Sequence, residues 1–449
     1  MRMILIFGIV AVIILLALSY PIAGLFGWAW FTMMQPHRET WGMEGFRLNL
    51  IIAVFSIGAW LISREPKAFP PTAPHIFILI FTLWVIASQI FSLKPNVSYE
   101  YTDRYIRVLA MIFLCAAMLH NKVRVHALVW VICIAIGYFG IKGGVFTIIT
   151  GGNYRVWGPT DSVIGDNNHI GAALAFIIPL LNYLRLQSQN RWLRAGLVGA
   201  IVLTFFGVLG SHSRTAFLAL FAGLALMWWR SRHRLVLVAA LAPIAVIGLT
   251  FMPEHWHERM ETIRAPDQDA SFMARVGMWK LAIEAGTANP VTGIGLRVIY
   301  VQEIADRYSA EPLVSRAIHS SYLEILAGMG YPGLILFMGL IMLAVRDSFW
   351  IRRHSKNKPD QEWAFDLASM AQVCLIVYGV ASLALSMEFW QGPWMLFVVL
   401  SQVRWQLAKQ GAATRPAGSR FRKRPAGSAA PASNTVPRSS QRTAEGGPP

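Results

Sequence analysis

Long apolar runs alternate with short polar connections along the chain as far as about residue 406. A helix needs roughly 17–25 mostly apolar residues to cross a bilayer. Runs of this kind are centred on residues 47–63, 75–92, 105–120, 125–149, 169–185, 195–212, 214–230, 234–252, 319–345, 366–387 and 391–406. The pattern predicts an all-α, polytopic membrane protein.

The opening run, residues 3–34, is interrupted by Pro21 and Gly24. It could be one broken crossing or a hairpin of two short helices. No convincing small-residue cleavage site follows it and many apolar runs do, so it predicts an uncleaved anchor rather than a signal peptide. Counting residues 3–34 as one crossing gives about 12 transmembrane helices with both chain ends inside.

The basic residues predict which connections face the cytoplasm. Arginines cluster near 185–194, 230–234 and 346–353, and a basic tail ends the chain. Short loops rich in Lys and Arg stay on the cytoplasmic side. The alternating segments are then predicted on the outer face: 150–168, 211–214, 253–318 and 388–391.

Composition agrees with a membrane protein and argues against nucleic acid as a partner. Hydrophobic residues make up 55% and charged residues 14%, whereas soluble domains carry about 25% charged residues. Much of the net charge of +17 lies in short loops and in the tail, where attraction to anionic lipid explains it better than RNA binding. The cysteines, Cys115, Cys133 and Cys374, fall inside apolar runs without metal or disulfide spacing, so we expect core residues.

Four parts follow from this organisation. We predict an N-terminal transmembrane bundle (1–252), a large outer loop (253–318), C-terminal transmembrane helices (319–406) and a disordered basic cytoplasmic tail (407–449). A loop this long is usually functional or disordered. Its amphipathic content, for example Phe272 to Ile283, predicts that it folds onto the membrane domain.

The strongest candidate site begins where the large loop re-enters the membrane, at His319-Ser320-Ser321, and continues through Glu324 to Gly330. Ser321 and Glu324 have capping-box spacing, which predicts a helix start there. The positive end of a helix dipole disfavours imidazolium, so His319 suits a general base. An interfacial histidine without a role, with Glu324 as a plain cap, fits the same residues equally well.

Two arginines are candidate ligands for phosphate. Arg214 lies in Ser213-Arg214 at a tight outward turn, and Arg275 lies in an amphipathic stretch of the large loop. A guanidinium grips phosphate oxygens bidentately, which lysine cannot do. Arg214 could instead snorkel to the interface, and Arg275 could be an ordinary surface residue.

A further polar group precedes the run at 169–185. Arg155 and the segment Asp166-Asn167-Asn168 face outward there and are candidates for a sugar site, together with Ser320 and Glu324. Helix caps and turns use the same residue types, so a structural role is the alternative.

The sequence contains no Walker motif, dinucleotide fingerprint or zinc spacing. An outward site built from arginine and histidine, without access to ATP, needs a donor that is already activated. A lipid pyrophosphate sugar is such a donor, since arginines can stabilise the phosphate leaving group as its charge develops.

These residues resemble the bacterial O-antigen ligase and polymerase superfamily. His319-Ser320, nine further residues and Gly330 match its His-(Asn/Ser/Gln)-x9-Gly motif after the large periplasmic loop. Ser213-Arg214, Arg275 and Asp166-Asn167-Asn168 resemble three other motifs of the family. The last of these is an Asp/Asn-x-Asn segment, in which the family often has Pro at the middle position, where this chain has Asn167. The start of the chain, including Gln35-Pro36-His37-Arg38, resembles the subgroup of putative O-glycosylation ligases associated with exosortase systems.

The resemblance implies a glycosyltransferase of the bacterial inner membrane with its active site facing the periplasm. It would transfer a glycan from undecaprenyl pyrophosphate to an acceptor lipid, protein or glycan, without a metal or cofactor. Arg214 and Arg275 would hold the pyrophosphate, and His319 would deprotonate or orient the acceptor. The partners expected are membrane lipid, the lipid-linked donor and the acceptor, with no nucleic acid.

Three alternatives stay open. A polymerase of the same superfamily would join repeat units to one another. A glycolipid flippase or transporter would suit twelve spans, but charged residues within the spans are few and the candidates share one face. A structural scaffold would tolerate any change to the outward arginines and histidine.

Overall fold

A computed structural model describes residues 1–43, 45–67, 69–230, 234–261, 270–309 and 312–413. Within these ranges the chain forms α-helices, two short 3-10 turns and no strand, which confirms the all-α class. The helices are α1 Arg2–Ser19, α2 Pro21–Met34, α3 Leu48–Ile62, α4 Ala73–Ile90, α5 Pro95–Met118, α6 Lys122–Ile149, α7 Asn167–Gln187, α8 Arg191–Gly210, α9 Arg214–Arg230, α10 Arg234–Phe251, α11 Glu254–Glu261, α12 Ala270–Ala288, α13 Gln302–Tyr308, α14 Ser321–Ser355, α15 Glu362–Leu383 and α16 Gln391–Ala413.

Several helices are long and apolar enough to cross a bilayer. Among the described residues, seven segments meet both conditions: α1, α4, α6, α7, α8, α14, and α15 with the 3-10 turn before it. The chain is therefore a multi-pass membrane protein. The expected count of about 12 spans is not confirmed.

Helices α1 and α2 form the hairpin that the sequence left as one of two possibilities. The chain leaves helical geometry at Tyr20 (φ −135°, ψ 91°), directly before Pro21. A Cβ on Gly24 would lie 2.7 Å from Cβ of Ala17, and one on Gly27 would lie 2.4 Å from Cγ2 of Ile13. The paired residues lie at nearly the same number of positions before and after Tyr20, so α2 folds back antiparallel along α1. Residues 3–34 are therefore two helices rather than one broken crossing.

Close helix packing builds the centre of the bundle. Helix α7 is buried over most of its length, and α6 packs against α8. A Cβ on Gly144 of α6 would lie 2.0 Å from the carbonyl oxygen of Leu203 in α8, so only glycine permits this approach. Small residues at helix contacts are the usual device inside a membrane. All three cysteines are buried and unpaired, as predicted.

Described residues from three of the basic segments predicted to face the cytoplasm, those near 185–194, 230 and 346–353, lie at one end of the bundle, here called the basic end. There Gln187 of α7 donates to Asp366 of α15 (2.8 Å), and Arg352 of α14 donates to Gln372 of α15 (3.1 Å). The opposite end, here called the site end, holds the first residues of α7, α9 and α14 and the last residues of α8 and α15. The candidate residues lie at the site end.

The large loop packs onto the bundle, as predicted. Helix α12 lies against α14, and Met278, Ile294 and Ile318 share a buried apolar cluster with Ala327 of α14. Residues Met1–Ala408 form one compact unit. Helix α16 continues to Ala413, so residues 407–413 are helical rather than disordered as predicted, and 414–449 lie outside the described residues. The division into four domains stays a prediction.

Candidate functional site

A break in α14 receives the turn that follows α12. Gly330 interrupts the helix with φ 67° and ψ −172°. The amide of Ile294 donates to the carbonyl of Ala327 (2.8 Å), and the amide of Tyr331 donates to the carbonyl of Pro290 (2.9 Å). Irregular backbone at membrane depth is tolerated where protein buries it and satisfies its polar groups. The break therefore fixes residues 290–295 against α14.

Arg297 follows this turn, and its side chain lies inside the protein. Arg297 has left-handed backbone (φ 62°) and a side chain that is 14% exposed. Its Nη1 lies 2.9 Å from Oε1 of Glu324, and its Nη2 lies 2.8 Å from Oε1 of Glu388. Burial disfavours the charged guanidinium, but the two carboxylates outweigh that cost and raise the pKa of Arg297.

Both carboxylates are nearly completely buried, and Glu324 has two further partners. Ser386 Oγ donates to Glu324 Oε1 at 2.8 Å, and the Tyr300 hydroxyl donates to the same oxygen. The Arg297 guanidinium lies 5.1 Å from the ring centre of Tyr300 and 5.7 Å from that of Phe389. Burial raises the pKa of Glu388, and the charge of Arg297 opposes that rise.

The predicted capping box is not formed, although α14 does begin at Ser321. Ser320 occupies the N-cap position without a side-chain cap bond. The Ser321 hydroxyl donates to the carbonyl of Leu385 and accepts from the amide of Met387, both at 2.8 Å. Glu324 pairs with Arg297 instead of reaching back to the helix start. A buried arginine outcompetes the local cap, and Ser321 fastens α14 to the connection after α15.

His319 stands directly before this helix start in a left-handed conformation (φ 54°). Left-handed backbone at a residue other than glycine is uncommon. The Trp279 indole of α12 donates to the carbonyl of Ile318 (2.9 Å), which places Arg275, one turn earlier in α12, beside the imidazole. Burial, the charge of Arg275 and that of His169 lower the pKa of His319 to about 4. The imidazole is therefore neutral at pH 7, and burial is the largest cause rather than the helix dipole expected from the sequence.

The start of α7 meets His319 from the other side. Asp166 caps α7 by accepting from the amides of Asn168 (2.7 Å) and His169 (2.9 Å), and its second oxygen contacts the His169 imidazole. Burial would raise the pKa of Asp166, but these hydrogen bonds and the nearby imidazole lower it to about 2. The His169 and His319 rings lie 6.4 Å apart. The ionised Asp166 carboxylate is therefore separated from His319 by the His169 imidazole.

Asn167 connects this group to the turn that carries Arg214. Its amide nitrogen donates to the carbonyl of Ser211 at 2.8 Å. The Ser213 hydroxyl accepts from the amide of Ala216 (3.2 Å) and caps α9, of which Arg214 is the half-buried first residue. Ser213-Arg214 is thus a helix start held against the start of α7.

Arg155 lies at the edge of the same region. It is exposed, and the amide of the next residue, Val156, donates to the carbonyl of Gly210 at 2.8 Å. Contacts therefore run from Arg275 through His319, His169 and Asp166 to Asn167 and the turn before Arg214. The residues predicted separately from sequence belong to one end of the fold, with Arg155 at its rim.

Sequence reasoning missed Arg297 and Glu388. One signal was available for Glu388, a carboxylate in a short connection between two apolar runs predicted outside. A second was available for Arg297, which follows the Gly293-Ile294-Gly295 turn of the large loop. In the part of the chain that the structure describes, no group of three or more His, Cys, Asp or Glu residues could hold a metal ion. Metal independence stays a prediction.

Comparisons with known proteins cover both halves of the chain. Residues 199–338 match a family described as O-antigen ligase, the stretch that holds Arg214, Arg275, His319 and Gly330. Residues 1–189 match a family of unknown function (DUF5935). The exopolysaccharide production protein ExoQ of Rhizobium meliloti (strain 1021) is 22% identical over 345 residues, which cover 68% of this chain and 76% of that protein. The exosortase-associated subgroup stays a prediction.

Proposed function

We propose that the chain is a member of the O-antigen ligase superfamily that transfers a glycan from undecaprenyl pyrophosphate to an acceptor on the periplasmic face of the bacterial inner membrane. The match of residues 199–338 to the O-antigen ligase family and the likeness to ExoQ support this. The acceptor is a lipid, a protein or another glycan. The reaction uses no metal or cofactor and is carried by His319 with Arg275 and Arg214.

One observation supports this proposal above the others: a half-buried, neutral imidazole lies beside an arginine at the end of the bundle opposite the basic clusters. A neutral imidazole accepts a proton, which a general base must do. Arg275 lowers the pKa of His319, so its positive charge acts close to the imidazole. The same charge is suited to oxygens of a pyrophosphate leaving group.

The proposed step is an in-line displacement at the anomeric carbon. The acceptor oxygen or nitrogen forms the new bond as its proton passes to the His319 imidazole. The bond from the anomeric carbon to the pyrophosphate oxygen breaks, and its electron pair stays on the lipid pyrophosphate, where Arg214 and Arg275 stabilise the charge. The configuration at that carbon inverts. Asp166, Asn167, Asn168, Ser320, Glu324 and Arg155 bind or position the substrates.

A polymerase of the same superfamily is the second candidate, and one relative, ExoQ, is described as an exopolysaccharide production protein. A polymerase uses the growing glycan itself as acceptor. The same base and arginines would serve, because only the identity of the acceptor differs.

Purified protein in detergent, incubated with lipid-linked glycan and separate candidate acceptors, tests the proposal. A ligase forms an acceptor-linked product of one donor length, whereas a polymerase forms a ladder of longer lipid-linked glycans. A transporter forms neither, because detergent removes the two compartments that it needs. Unchanged donor and acceptor after incubation with every acceptor class would overturn the transfer proposal.

A further inference from the structure

A polar cavity lies at the site end, apart from His319. It has a volume of about 520 Å³, within the range of about 300–1,000 Å³ that small ligands occupy. Its walls come from α2, α3, α5 and residues 161–163. None of the nine residues predicted from sequence as site residues lines it. Much of the wall belongs to the first half of the chain, which matches a family of unknown function.

Guanidinium and carboxylate groups lie together on this wall. On α5, Glu100, Asp103, Arg104 and Arg107 follow helical spacing and line the cavity together. Arg107 Nη2 lies 2.5 Å from Asp103 Oδ2, and Arg104 Nη2 lies 3.7 Å from Glu100 Oε1. From the loop between α2 and α3, Arg38 enters the wall. Burial and the charge of Arg104 lower the pKa of Arg38.

Three lining residues hold buried polar atoms without a hydrogen-bond partner among the described residues: His37 Nδ1, Asn49 Oδ1 and Ser162 Oγ. His37 is 4% exposed and stacks on Phe31, with ring centres 5.1 Å apart. Buried polar groups are normally paired, and an unpaired one costs free energy. Because these atoms have almost no exposed surface, a ligand in the cavity completes their hydrogen bonds once the side chains turn toward it.

The unpaired atoms also indicate the chemistry of that ligand. Asn49 Oδ1 can only accept, so the ligand must donate to it, and the guanidinium groups keep N–H donors beyond those that face their carboxylates. A hydroxyl group can donate to the amide oxygen and accept from these N–H groups. The indole of Trp28 and the ring of Phe46 add apolar surface to the same wall, which suits the C–H face of a sugar ring. We propose that this cavity is a saccharide-binding site.

A phosphate group fits the cavity less well. A phosphate monoester dianion only accepts hydrogen bonds and leaves Asn49 Oδ1 unpaired. Three arginines on the wall are already paired with its three carboxylates, Arg38 with Asp161, Arg104 with Glu100 and Arg107 with Asp103, which leaves little positive charge to attract it. The lipid pyrophosphate therefore belongs at Arg214 and Arg275, and the cavity holds sugar.

The cavity and the His319 site share one loop. Ser162 faces the cavity, whereas Asp166, four residues later, caps α7 beside His169. The amide of Gly158 donates to the carbonyl of Gly165 at 2.9 Å, and this bond joins the two ends of the loop. A glycan reacting at one face of this loop can therefore extend to the other. That assignment rests on the proposed transfer reaction, whereas saccharide binding itself does not.

The test measures binding without chemistry. Oligosaccharide released by mild acid from the lipid-linked glycans of the source organism carries no pyrophosphate, so it binds but cannot react. Calorimetric titration into the detergent-purified full chain gives its dissociation constant. Asn49→Leu and Arg104→Gln change the cavity from two different helices, and Arg194→Gln, at an exposed position of α8, is the matched control. Thermal unfolding of each variant shows that it is folded.

We expect both cavity variants to weaken binding by about tenfold or more, while Arg194→Gln binds as the wild type does. Excess inorganic pyrophosphate should not compete. Folded cavity variants that bind with wild-type affinity, or competition by pyrophosphate, would overturn the proposal. Failure of the transfer reaction would leave this binding result unchanged, so the two proposals fail separately.

Discussion

Gly330→Ala tests whether the break in α14 positions the site. The backbone of Gly330 lies in a region that only glycine adopts readily, and forcing another residue there costs about 1–3 kcal/mol. The new Cβ would lie 2.3 Å from the carbonyl oxygen of Val291 and 2.6 Å from that of Pro290. Ordinary contact begins at 3.4 Å, so the turn must move by about 1 Å.

That displacement reaches the site because the same turn leads to Arg297. A misplacement of about 1 Å in a supporting element can lower the rate of the chemical step by about a hundredfold. We expect Gly330→Ala to remain in the membrane, to unfold at a lower temperature and to lose transfer activity by about 10- to 100-fold. Transfer from lipid-linked glycan at saturating substrate measures the loss.

Gly137→Ala is the matched control. Gly137 is also a buried glycine, but a Cβ there would meet only Cδ1 of Ile177 at 3.9 Å, an ordinary contact. This variant should keep wild-type activity and stability. If Gly330→Ala behaves like Gly137→Ala in both assays, the break does not position the site.

Three further predictions follow from the charges at the two ends of the bundle. Arg297→Gln leaves its buried carboxylate partners uncompensated and should lower the free energy of unfolding by about 3–5 kcal/mol. Adding Glu388→Gln removes one of the uncompensated charges and should restore part of that stability. A double variant less stable than Arg297→Gln alone would contradict the pairing. Because His319 protonates as pH falls through its pKa of about 4, kcat/KM should be flat from about pH 6 to 8 and fall only below about pH 5, whereas an inflection near 6.5 would place the imidazole in solvent. With the native cysteines buried, a membrane-impermeant maleimide should label Arg155→Cys in intact spheroplasts and label Arg194→Cys only after lysis; the reverse pattern would invert the proposed orientation.

Hydrophobic run length predicted nearly all of the long helices because a bilayer imposes it locally. The same reasoning could not choose between a broken crossing and a hairpin for residues 3–34, since that depends on Gly24 and Gly27 fitting against α1. The basic loops were placed at one end correctly as a group. Their side of the membrane stays a prediction.

The candidate site shows where local patterns fail. Ser321 and Glu324 have capping-box spacing, but in the fold the Glu324 carboxylate pairs with Arg297. Arg297 lies 27 residues before Glu324 in the sequence, so a local sequence pattern cannot show that this ion pair replaces the cap. Asp166 behaves as its position suggests, as the cap of α7, and it also reaches His169. Motif spacing identified Gly330, and the structure supplies the reason for it, which is the close approach of residues 290 and 291.

The central claim is that His319 carries the proton transfer in a glycan transfer reaction. Purified wild-type protein and His319→Ala, each given fluorescent lipid-linked glycan and the native acceptor, test it most directly. We predict that both bind the donor with similar affinity and that only the wild type forms the glycosylated product. Product formation by His319→Ala at the wild-type rate would contradict the claim.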